Sequence, residues 1–135
     1  MNIINALNWR YAVRKFSTRQ LDESQVQQLL EATRLSASSY GLQPYRLLVI
    51  QDRELRRRLL PHAMGQTKVV DCSHLVVFAA QTTVDDCLVD NYIDALASTR
   101  HQAPGELQGF ADHVKQVLAA MSVDHKREWA HQQAY

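Results

Sequence analysis

The stretch Ser38-Ser39-Tyr40-Gly41-Leu42-Gln43-Pro44-Tyr45 constrains this chain more than any other. It separates a strongly helical segment from the first continuous apolar run, and neither element can pass through it. Pro44 drives Gln43 toward extended backbone. Gly41 admits a positive φ and lets another group approach the main chain. Ser38, Ser39 and Gln43 bring donors and acceptors among core-forming neighbours. An ordinary helix-to-strand loop uses the same residue types, so the stretch reads first as a turn and second as a turn that faces a ligand.

The flanking pattern predicts alternating helices and strands. Ile3, Ile4 and Leu7 mark a short amphipathic helix over residues 2–9. Asp22 with Gln25 forms a capping-box pattern, and Leu21 with Val26 a hydrophobic staple. Val26, Leu29, Leu30, Thr33 and Ala37 then keep helical spacing for about four turns. Leu47–Ile50 and Ser73–Ala80 are apolar without alternation, as in strands covered on both faces. Between them, Asp52 caps a helix carrying Leu55, Leu59 and Leu60, and Pro61 bends or ends it. Its Arg56-Arg57-Arg58 reads as a solvated face. Asp85 or Asp86 opens a helix with Leu88, Val89, Tyr92, Ile93 and Leu96. Pro104 stands at the start of another, whose stripe is Leu107, Phe110, Ala111, Val114, Val117, Leu118 and Met121. Asp124 caps a last helix with Trp129 and Tyr135. That helix has no completed apolar face, and two central-type strands need neighbours. The expectation is a chain that pairs with another chain or lacks a C-terminal part.

Composition narrows the function classes. The 135 residues suit one domain, 1–135. Apolar residues at 46% and charged residues at 21% place the chain among globular proteins. A nucleic-acid binder would use Arg10, Arg14, Lys15 and Arg56–Arg58, but a net charge of +1 gives no global basic footprint. No apolar run is long enough to span a membrane, and the first ten residues are too polar for a signal peptide. Cys72 and Cys87 read as reduced thiols of a cytoplasmic protein. Cys72 and His74 alternate on one strand side, and the other histidines show no i, i+4 pairing, so no metal site is expected.

Arg10-Tyr11-Ala12-Val13-Arg14-Lys15-Phe16 packs three cations and two aromatics into seven residues. Read by itself it is first a solvated basic turn, and second a stretch that suits an anion or a stacked ring. Together with Ser38–Tyr45, with Asp71-Cys72-Ser73-His74 before a β run, and with Glu128-Trp129-Ala130, Gln133 and Tyr135, it resembles the nitroreductase family. The four blocks stand in family order over essentially the whole chain.

The resemblance implies an α+β fold, helices around a small, mostly antiparallel sheet, incomplete at the C-terminus because the chain stops within the central helix. It implies FMN-dependent oxidoreductases that pass a hydride from NAD(P)H, by a ping-pong sequence, to a nitro, quinone or related small acceptor. It also implies an intertwined homodimer with FMN at the interface, and no catalytic acid or nucleophile. By position, Arg10 would contact the FMN phosphate, with Tyr11 and Ala12 in the same block, and Arg14 would lie near the pyrimidine end of the ring. Ser38, Ser39 and Gly41 would line the site from the partner subunit, and Gln43 would sit near the ribityl chain or ring edge. Gln66 and Lys68 would reach the N3, O2 or O4 edge. Two positions depart from the pattern: Ala12 stands where many members carry a serine, and Gly41 where some carry an asparagine. The stretch that faces flavin N5 and the C-terminal basic residues would lie beyond residue 135. The alternative reading is a catalytically incompetent fragment, serving as a dimerisation or flavin-binding module.

Overall fold

The computed structural model describes residues 2–103 and 105–135. Among them, seven α-helices and two strands follow in order: α1 (Ile3–Trp9), α2 (Glu23–Arg34), β1 (Tyr45–Ile50), α3 (Arg53–Leu59), α4 (Lys68–Asp71), β2 (Leu75–Ala80), α5 (Asp86–Arg100), α6 (Gln108–Ala119) and α7 (Val123–Ala134). Strands β1 and β2 pair as a two-stranded antiparallel sheet. The chain divides into two compact units, Met1–Gln28 with Val49–Val76, and Leu29–Leu48 with Val77–Tyr135.

In the first unit, the Asn2 side chain caps α1 by accepting the Asn5 N–H at 2.8 Å. The expected apolar face of α1 is not covered: Ile3, Ile4 and Leu7 are 74%, 61% and 59% exposed. The capping box at α2 forms reciprocally. Asp22 Oδ1 accepts the Gln25 N–H at 2.9 Å, and the Asp22 N–H donates to Gln25 Oε1 at 3.2 Å. Helix α2 closes at Arg34, so the last member of its expected stripe, Ala37, lies in the turn beyond. Asp52 caps α3 as expected, accepting the Leu55 N–H at 2.5 Å.

The single turn α4 stands just ahead of β2. The N–H groups of Val70 and Asp71 bond Thr67 O at 2.9 and 3.0 Å, overriding the strand preference of Val69 and Val70. Arg56 is not part of a solvated face; it is buried. It shares one side of the helix with Leu59 and Leu60, so its stem follows them inward. Its Nη atoms then donate to Val70 O at 3.1 Å, to Gln51 O at 3.1 Å and to Cys72 O. Arg57 and Arg58 remain exposed.

The second unit holds the main core, built from Leu42, Val84, Val89, Val114, Leu118, Trp129 and Ala130. The α6 stripe behaves as its spacing predicts, with Ala111, Val114 and Leu118 buried. Asp85 caps α5, accepting the Leu88 N–H at 3.1 Å. Lys115 of α6 meets Asp90 of α5 at 2.6 Å, and that hydrogen bond holds the ammonium above its ordinary pKa. The cap of α7 is Ser122 rather than Asp124. Its Oγ accepts the His125 N–H at 3.2 Å, and Asp124 lies in the first turn, where an anion suits the helix dipole. The expected role of Pro104 lies outside the described residues.

The strands are not covered on both faces. Leu48, Val49, Val76 and Phe78 stay 49%, 36%, 39% and 44% exposed. Two strands leave two edges, and both β1 and β2 show alternating rather than continuous burial.

The capping box makes α2 sensitive to acid. The Ser24 hydroxyl and then the Gln25 N–H hold the Asp22 carboxyl below its ordinary value. A depressed carboxylate contributes stability that is complete above its unfolded pKa and is lost as pH falls through the folded one. Asp22→Ala therefore lowers the melting temperature at neutral pH. In melts run between pH 7 and pH 2, its deficit against wild type shrinks below the ordinary carboxylate range.

Candidate functional site

Of the ten residues expected to bind a cofactor, Ser38, Ser39, Gly41 and Gln43 belong to the second unit, and Arg10, Tyr11, Ala12, Arg14, Gln66 and Lys68 to the first.

The second-unit group is held as one left-handed turn. Tyr40, Gly41 and Gln43 have φ of 56°, 75° and 42°. For the two residues with side chains this conformation costs on the order of 1 kcal/mol each. Polar contacts and burial within the unit offset it. Ser38 Oγ donates to Gln133 Oε1 at 3.2 Å, and the Ser39 N–H donates to the same oxygen at 2.7 Å. The Gln43 N–H donates back to Ser38 Oγ at 3.3 Å. The Gln43 carboxamide turns away toward α2, where Nε2 donates to Arg34 O at 2.9 Å and to Ser36 O at 3.3 Å. It thereby satisfies carbonyls that a helix end leaves open. Leu42 and Pro44 are buried, and the Tyr40 ring lies against Phe110 and His113 with centroids 6.4 and 6.0 Å away.

Gly41 is required twice. Its φ of 75° suits glycine, and a Cβ there would collide with the Tyr92 hydroxyl. Gly41, Leu42 and Gln43 line a cleft of about 460 Å³ with Leu88, Tyr92 and Leu96. Its walls are mainly apolar, and Asn91 and Thr99 supply polar groups. The Ser39 hydroxyl has no partner among the described residues, and Ser39 is exposed.

In the first unit, Arg10, Tyr11, Ala12 and Arg14 all lie exposed in the irregular segment after α1. The Arg10 N–H closes α1 onto Ala6 O at 2.9 Å, and the Val13 N–H reaches Tyr11 O at 3.1 Å. Arg10, Arg14 and Lys68 form no ion pair among the described residues. Gln66 is exposed between the turn at Leu60–Ala63 and α4, and Lys68 is half-buried at the start of α4. These cations, with the Gln66 amide, are therefore free for a ligand. Their chemistry fits a phosphate and the carbonyl- and imide-bearing edge of a flavin.

Two residues that shape the site were absent from the candidate set. Gln133 stood in a recognised block but without a role; a single amide on a helix does not declare what it accepts from. Tyr92 fitted its helical stripe, and nothing in the sequence pairs it with Gly41.

A model of the Nitroreductase family matches residues 7–135. Among curated relatives, a Bacillus subtilis protein named Putative NAD(P)H nitroreductase YfkO is 30% identical over 98% of this chain and 64% of its own length. Putative NAD(P)H nitroreductase SH0546 of Staphylococcus haemolyticus is 38% identical over 61% of this chain and 38% of its own length. Among solved structures, ydfN of Bacillus subtilis superposes with a TM-score of 0.82 at 17% identity, covering 97% of this chain and 63% of that one. A putative nitroreductase from Exiguobacterium sibiricum, solved in complex with FMN, gives 0.77 at 19% identity, covering 99% and 64%. The chain thus spans less than two thirds of the length of each of these proteins.

Two substitutions test the turn. Gly41→Ala is expected to cost about 2 kcal/mol or more, from strain at positive φ and overpacking against Tyr92. Adding Tyr92→Phe recovers part of that loss in a double-mutant cycle. Gln133→Ala leaves two donors without their acceptor and is expected to cost about 1–3 kcal/mol. Gln133→Glu, which keeps both acceptor positions, stays closer to wild type in denaturant unfolding.

Proposed function

Because the chain belongs to the nitroreductase family, we propose that it serves an FMN-dependent oxidoreductase that carries electrons from NAD(P)H to a small nitro, quinone or related acceptor. The observation that carries this reading is the set of exposed, unpaired cations at Arg10 and Arg14, which no internal contact explains. When bound, FMN supplies the redox chemistry, accepting hydride from the nicotinamide and passing two electrons onward.

The chain's own residues then bind and orient. Arg10 holds the phosphate, with Tyr11 and the backbone of Ala12 beside it. The positive charge of Arg14 offsets negative charge that accumulates at the pyrimidine end on reduction. Gln66 and Lys68 donate to the ring's carbonyl edge. From a second copy of the chain, Ser39 offers its free hydroxyl and Gly41 a backbone surface without a side chain. Ser38 positions that turn, and Gln43 presents the Oε1 that its bonds to α2 leave open. A homodimer also agrees with the uncovered apolar side chains Ile3, Ile4 and Leu7 of α1. Within the described residues no helix is long and apolar enough to cross a membrane.

A second reading, a flavin-binding or dimerisation module without turnover, is favoured by the partial span of full-length relatives. One sample separates the two. Purified protein is saturated with FMN, freed of excess, and its visible spectrum and intact mass are recorded. Bound flavin approaching one per chain is expected. The double variant Arg10→Gln/Arg14→Gln should weaken it at least tenfold, since each charge-assisted contact contributes about 1.5–3 kcal/mol. Oxidation of NAD(P)H with a quinone or nitroaromatic faster than with free FMN then supports the enzyme, and bound flavin without turnover supports the module. A protein that stays colourless in excess FMN sinks the enzyme and the flavin-binding module and leaves the dimerisation module, which a dimer in sedimentation velocity supports and a monomer overturns.

A further inference from the structure

The first unit contains a second group of cations, distinct from Arg10 and Arg14. A cleft of about 390 Å³ is lined by Lys15, Ser17, Thr18, Arg53, Arg56 and Asp71, among others. Three cations thus face one carboxylate. Asp71 forms no ion pair with any of them among the described residues.

Arg56 is the telling member. It is only 5% exposed, and every oxygen it touches is a main-chain carbonyl, those of Val70, Cys72 and Gln51. Its Nη1 also lies 3.4 Å from Cys72 Sγ. Its Nε is buried with no partner among the described residues. Carbonyl dipoles solvate a guanidinium but do not neutralise it. A buried cation without a counter-ion is costly, and an anion in the adjoining cleft would supply the missing charge. The remaining groups suit that anion. Ser17 Oγ accepts the Arg19 N–H at 3.3 Å, which leaves its own proton to donate. The Thr18 hydroxyl has no partner among the described residues. Guanidinium, ammonium and hydroxyl groups lining one cleft are of the kind that recognise phosphate.

We propose that this cleft is a binding site for a phosphate group, formed by Lys15, Arg53 and Arg56 with the hydroxyls of Ser17 and Thr18. The bound phosphate balances the Arg56 charge that clamps α3 to the turn before β2. The site uses none of the residues assigned to flavin, and its test needs no flavin. Inorganic phosphate is titrated by calorimetry into the Arg10→Gln/Arg14→Gln protein, against chloride at matched ionic strength. That background removes the other predicted phosphate contacts. One saturable phosphate per chain is expected, with a rise in melting temperature. Adding Lys15→Gln and Arg53→Gln, both at exposed positions, should weaken binding at least tenfold while the far-ultraviolet circular dichroism stays unchanged. No saturable binding in the background protein, or an affinity that the two added substitutions change less than threefold, overturns the proposal.

Discussion

The candidate turn depends on one oxygen. Gln133 Oε1 accepts the Ser38 hydroxyl and the Ser39 N–H together, and so fixes the start of a segment whose backbone is otherwise unfavourable. Three of the four residues from Tyr40 to Gln43 have positive φ. Such a run persists only where its surroundings over-determine it. Here the determinants come from three directions: α7 through Gln133, α2 through the carbonyls that the Gln43 amide caps, and the core through Leu42 and Pro44. The turn therefore takes its rigidity from the second unit's own packing, in which α7 contributes buried Trp129 and Ala130. A ligand surface built this way is formed before any ligand arrives, which lowers the ordering cost of binding.

That arrangement divides labour between adjacent hydroxyls. Ser38 is occupied on both sides, donating to Gln133 and accepting from Gln43. Ser39 spends only its main chain, so its hydroxyl is the one left for a ligand. Two neighbouring serines look equivalent in the sequence; Gln133, 95 and 94 residues away along the chain, takes the hydroxyl of one and the main-chain N–H of the other.

What could be read ahead of the structure follows the same line. Capping at Asp22, Asp52 and Asp85 and the stripe on α6 depend on residues within one or two helical turns, and all appear where their spacing puts them. Gly41 was legible as a position needing glycine, because φ is a local property, but its collision partner Tyr92 was not. Arg56 was misread because a run of three arginines on a seven-residue helix has the pattern of a solvated face. The first of the three lies on the Leu59 and Leu60 side of the helix, and the Gln51, Val70 and Cys72 carbonyls that receive it there are not visible in that pattern. Ser122 and Asp124 are both good N-caps, so the sequence does not choose between them; in the structure Ser122 takes the His125 N–H and Asp124 falls in the first turn.

The pKa displacements in this chain come from surface hydrogen bonds. They fall on Asp22, Glu31, Arg34 and Lys115, and in each case the leading cause is a surface hydrogen bond: Ser24 to Asp22, Glu31 with Arg34, and Asp90 to Lys115. The ten candidate residues supply cations, amides, hydroxyls and exposed backbone, groups that would orient and charge-balance a ligand. That is the division expected when a cofactor carries the electrons and the protein supplies position and field. On the proposed reading, the residues with unspent donors, Arg10, Arg14, Gln66 and Ser39, would supply both.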